Sequence, residues 1–242
     1  MAVLEKLYSS VDLCRDPLSK TEAYESLDAA AAYFIGFAEG EEDGGTYDGV
    51  LLYGLAKRMC VMFDTCSSTN NNAESNERII SLLYAAQGEL DVGACDSLAN
   101  TIKGIENSLV IPLIQATLYA SRENELYVKK KDKYAIELFS EGYALSLSIL
   151  PLINNADISA ARDIAKVMVN GFPGDKVADH TKVFRAMQVA IPKMKDLDCE
   201  MVGTLDGVSF CEGAADVRSS GVLSRASHYL LGGLVLSMLF CC

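Results

Sequence analysis

Four carboxylates, Glu39, Glu41, Glu42 and Asp43, crowd the end of an alanine-rich run that carries Tyr33 and Phe34. If that run is helical, they stand at its C-terminal end, where the macrodipole is negative and each anion is disfavoured by about 0.3–1 kcal/mol. A bound cation would remove that cost, and solvation of an exposed acidic loop would also reduce it. Tyr33 lies near the same helix end and Tyr53 follows on the next helical run, so phenolate and carboxylate oxygens could converge there. Such hard anionic donors suit Fe(III) and other oxygen-seeking ions better than soft metals. Tyrosines on helices are equally common at the edge of a core, with the ring packed and the hydroxyl near water.

Other chemistries find few residues. The only histidines are His180 and His228, and neither has a Glu three positions before it, which excludes a His-rich zinc site and a bundle di-iron site. His180, beside Asp179 at a helix start, reads as a surface residue rather than a base. There is no Gly-x-Ser-x-Gly elbow and no phosphate-binding loop, and no nucleophile, base and orienting group can be put together, so no catalytic residue is expected. With 21 Lys and Arg against 33 Asp and Glu, the net charge of −12 opposes nucleic-acid binding and leaves cations as the first ligand class to consider.

Eight cysteines occur without a C-x-x-C pair. Two, Cys241 and Cys242, lie in an apolar tail; the other six suit either disulfides in an oxidising compartment or buried reduced thiols. Cys60 and Cys66 are the best candidate pair, because a turn after a helix can bring them within disulfide range. The uncharged tail, residues 229–242, makes only about 21 Å of helix, short of the roughly 30 Å hydrocarbon core. Small residues at Ser219, Ser220 and Gly221, a spacer and then the tail follow the order of a glycolipid-anchor signal, which is the preferred reading. A spanning helix from Val222 and a terminal core helix are the alternatives. Residues 1–13 carry charges and no apolar core, so they are not a signal peptide, and an exported chain would then be N-terminally incomplete.

The elements that must position these residues are helical throughout. Ser19 and Glu22 form a capping-box pattern, after which Leu27, Ala30, Phe34 and Phe37 recur at helical spacing until Gly40. A second helix follows over 51–64, and a third carries Ile79, Leu82, Leu83, Ala86 and Leu90 and closes at Gly93. A fourth spans about 96–122 and a fifth about 132–153. Asp157 caps a sixth, and a seventh covers about 175–194. The apolar runs 110–114 and 149–153 share an interior proline and suggest two kinked helices in related halves, unless the echo is a coincidence. With no sustained period-2 alternation, the chain is predicted all-α: a single domain over 20–200 with six or seven helices. It is flanked by an N-terminal segment over 1–19, a Gly-rich irregular linker over 201–228 and the tail over 229–242. Leu27, Phe34, Leu55, Leu83, Leu138, Ile149 and Ile164 are the expected core.

Four stretches in order resemble one known family. They are LDAAAAYFIGFAEG over 27–40; LLYGLAKRMC over 51–60, with FDTC following; IPLIQATL over 111–118; and the stretch from Glu141 and Gly142 to LPLI over 150–153. Together they are similar to the algal low-iron-inducible periplasmic or iron-assimilating proteins and the related phytotransferrins. The resemblance covers about residues 20–200. It implies a helical, extracytoplasmic domain in high-affinity iron uptake that binds ferric iron with carbonate at the cell surface, a binding role and not an enzymatic one. On that footing the expected ligands are Tyr33, Glu39, Asp43 and Tyr53, with Lys57 or Arg58 holding the anion. An adhesive or structural surface protein on the same scaffold is the alternative.

Overall fold

The computed structural model describes residues 2–36, 51–69, 71–129, 135–170, 179–194, 197 and 199–211, apart from the side chains of 127, 129 and 135–139. The chain is all-α, with eight α-helices among the described residues. They are α1 (Ala2–Cys14), α2 (Lys20–Ile35), α3 (Leu52–Phe63), α4 (Glu74–Val92), α5 (Cys95–Lys129), α6 (Ala135–Ala156), α7 (Ile158–Met168) and α8 (His180–Ala190). Two compact units divide them: Met1–Cys60 with Cys66–Pro112, and Val61–Thr65 with the chain from Leu113 onward. Among the described residues no helix is long and apolar enough to cross a membrane, and the tail over 229–242 lies outside them.

In the first unit, α1 corrects the expected boundary at residue 20. Val3, Leu7 and Val11 recur every four positions and are buried in one cluster with Ala23, Leu27, Ala30 and Phe34 of α2. Cys14 and Cys95 are joined by a disulfide with Cα atoms 5.7 Å apart, which fastens the end of α1 to the start of α5. The expected capping box is not formed. Ser19 makes no side-chain cap to α2, and its hydroxyl donates instead to Asp16 Oδ2 at 3.0 Å. The helix stops at Gly36, whose φ of 104° few side chains tolerate and whose N–H donates to Ala32 O at 2.8 Å. Gly93, at φ 69°, ends α4 as its position suggested. Ile79, Ala86 and Leu90 face the core, whereas Leu83 is only partly buried.

In the second unit, Asp157 and Asp179 cap α7 and α8 by accepting from Ala160 N at 2.8 Å and Lys182 N at 3.0 Å. Ile149 and Ile164 are buried, and the side chain of Leu138 lies outside the described residues. Gly142 allows a close approach: a Cβ there would stand 2.6 Å from Met168 Cε and 3.1 Å from Ala120 Cβ. Helices α5 and α6 run through Pro112 and Pro151, but Pro112 falls at the division between the units while Pro151 lies inside the second. The two proline motifs therefore do not occupy equivalent places in two halves. The region from Cys199 is more regular than expected. A 3-10 turn, Cys199–Val202, leads into a hairpin of β1 (Thr204–Leu205) and β2 (Val208–Ser209), with Thr204 opposite Ser209. Its turn places Asp206 at φ 55° and Gly207 at φ 76°, the signs a two-residue hairpin requires.

Candidate functional site

The site begins with the short turn over 66–73 in the first unit. Cys60, buried near the end of α3, is bonded to Cys66, with Cα atoms 4.8 Å apart. Cys66 then pairs with Ala73 in an antiparallel bridge, and Ser67 N donates to Asn72 O at 2.7 Å. Asn71 takes the left-handed φ of 58° that asparagine tolerates in such a turn. The loop thus delivers Asn72 to the first turn of α3. Asn72 Nδ2 donates to the Tyr53 hydroxyl oxygen at 3.0 Å, while its Oδ1 accepts from Ala73 N at 2.9 Å and Asn76 Nδ2 at 3.1 Å. Those two donors fix which end of the amide faces the phenol. Asn76, fully buried, also donates to Tyr53 O at 3.0 Å.

This arrangement separates the expected ligands. Tyr53 is 2% exposed and packs edge-on against Phe34, with ring centroids 5.7 Å apart. Tyr33, one position before Phe34 and so about 100° around α2, is 50% exposed. The two phenols therefore stand in different surroundings, one in the core and one at the surface. A metal at the Tyr53 oxygen would have to enter this buried setting beside the Asn72 amide. Glu39 and Asp43 lie outside the described residues. Lys57 and Arg58 are half-buried on α3, with Lys57 one turn beyond Tyr53. Among the described residues, no three His, Cys, Asp or Glu side chains are grouped to hold a metal ion.

Asn72 and Asn76 carry the geometry around Tyr53, and the stretch over 67–72 reads from sequence as a plain polar linker. The available signal is the pair of amides four positions apart, Asn72 just before α4 and Asn76 in its first turn.

A second polar cluster, in the second unit, overturns the surface reading of His180. The residue is half-buried, with Nδ1 2.9 Å from Ser121 Oγ, and the backbone N donates to Glu125 Oε2 at 3.2 Å. Ser121 Oγ also lies 2.8 Å from Leu118 O, and when it donates there it can accept a hydrogen from Nδ1. Burial pushes the imidazole down to about 4, against the pull of Glu125, Asp206 and Asp179. Arg122, paired with Glu123 and Asp206, adds to the lowering. Ser121 is fully buried, and the pair ties α8 to α5.

In the first unit, Glu106 is buried on α5 and bonded to Tyr8 of α1 and to Lys103 Nζ at 2.7 Å. Desolvation and the adjacent carboxylate hold the Tyr8 hydroxyl well above its ordinary range.

No family model, curated protein or solved structure matches the chain.

Proposed function

We propose that this chain is a binding protein of an oxidising, extracytoplasmic compartment that takes ferric iron with carbonate at the cell surface during high-affinity uptake. The observation that carries the compartment is the complete pairing of the six cysteines outside the tail: Cys14–Cys95, Cys60–Cys66 and Cys199–Cys211. Reducing compartments keep such thiols free. The metal rests on the resemblance of the four segments and on the acidic run beyond α2. Tyr33 is the expected phenol that is open to solvent, and Glu39 and Asp43 follow it in the chain. Lys57 or Arg58 would supply the positive charge that a carbonate needs. The C-terminal tail would hold the protein at the membrane.

A second reading, a surface scaffold that binds no metal, is favoured by one observation: the Tyr53 hydroxyl is buried and already bonded to Asn72. Equilibrium dialysis of the full chain against chelator-buffered ferric ion separates the two. Iron taken up one per chain only when bicarbonate is present supports the first reading. No uptake under either condition leaves the scaffold.

A further inference from the structure

Helices α2 and α4 leave an open groove of about 180 Å³ on the first unit. Its floor is Leu27, Ile35, Ile80 and Leu83, and Tyr84 stands along one side at 71% exposure. A cavity of about 150 Å³ accepts a benzene ring, so one aromatic or leucine side chain fits. From Leu27 to Ile35 the floor runs about 12 Å, or two turns of helix.

The charged side chain that lines the groove is acidic. Asp28 is exposed in the groove wall, Glu25 is exposed one turn before it on α2, and Glu77 lies one turn before Ile80 on α4. None of the lining residues is basic. Arg78, two positions before Ile80, falls on the other side of α4, and Lys20 donates to Asp91 O at 3.0 Å. The chain as a whole carries −12. We infer that this groove docks a helical peptide segment of another protein, one that seats a single aromatic or leucine anchor between α2 and α4 and flanks it with lysine or arginine. The mode is a helix laid along a groove, with burial at the anchor giving affinity and the acidic rim giving orientation and rate. The inference goes beyond iron and does not rest on it.

The probe is a fluorescently labelled, lysine-rich amphipathic peptide with one central phenylalanine, titrated with the full chain in physiological salt and read by anisotropy. Any cationic peptide is drawn to so acidic a protein, so anchor dependence decides. Replacing the phenylalanine by alanine should weaken binding by about tenfold, as should Tyr84→Ala, and Asp28→Lys should weaken it by about threefold. Both side chains are exposed, and circular dichroism checks that each variant keeps its fold. Equal binding of the alanine peptide, or binding unchanged in Tyr84→Ala, would mean charge attraction alone and overturns the proposal. So would no binding at all, or self-association of the chain that Tyr84→Ala abolishes, which would make a second copy the occupant.

Discussion

Asn72 Nδ2 lies 3.0 Å from the hydroxyl oxygen of Tyr53, and the turn that brings it there is closed by the Cys66–Ala73 bridge, with Cys66 tied to α3 through Cys60. A tyrosine that sequence offers as a metal ligand is thereby part of the core. Tyr53→Phe keeps the ring against Phe34 and removes the acceptor from the half-buried Asn72 amide, so it should lower stability by about 1 kcal/mol. Urea unfolding measures this. An unchanged midpoint would mean that the hydroxyl is not a structural group and would return Tyr53 to the candidate ligands.

The Cys14–Cys95 disulfide closes a separation of 81 residues, and Cys60–Cys66 closes one of 6. Chain entropy makes the first worth about 4–5 kcal/mol and the second about 2 kcal/mol. Paired serine substitutions, compared by thermal unfolding, should reproduce that order. Equal losses would show that native packing of the short loop, and not loop closure, sets its contribution.

Gly203 has a φ of 83°, and a Cβ there would run into the Phe63 carbonyl and stand 2.5 Å from Thr65 Cγ2. Gly203→Ala should therefore cost more than about 2 kcal/mol. Gly207 has the same sign of φ, 76°, with nothing within 4 Å of an added Cβ, so Gly207→Ala should cost visibly less in the same denaturation experiment.

His180 supplies a pH dependence whose sign follows from its burial. The unfolded imidazole takes a proton below about 6.5, while the folded one stays neutral down to about 4. Stability from this group is thus full above 6.5 and is lost as pH falls toward 4. Relative to His180→Gln, the wild type should lose on the order of 2 kcal/mol between pH 7.5 and pH 5. Parallel curves for the two proteins would show that the ring is hydrated.

The helices were largely legible in sequence because their apolar spacing, the Asp157 and Asp179 caps and the stop at Gly93 all point one way. The helix α1 was legible too, in Val3, Leu7 and Val11 at four-residue spacing. The hairpin carried its own signal in Asp206 and Gly207 between apolar residues. The site was harder to see. That Tyr53 is buried while Tyr33 is half exposed depends on which side of α3 meets α2, and the setting of His180 depends on contacts with α5 across 59 positions. Neither long-range pairing leaves a local pattern.

The proposed ferric binding with carbonate can be read from the visible spectrum of the protein during a ferric titration. Phenolate bound to Fe(III) gives a charge-transfer band that neither component has alone. The account expects the band to grow to an end point of one iron per chain in bicarbonate, to be absent without it, and to fade as acid returns protons to the ligands. A titration in bicarbonate that yields no band and no end point would contradict the account and leave a disulfide-braced helical scaffold.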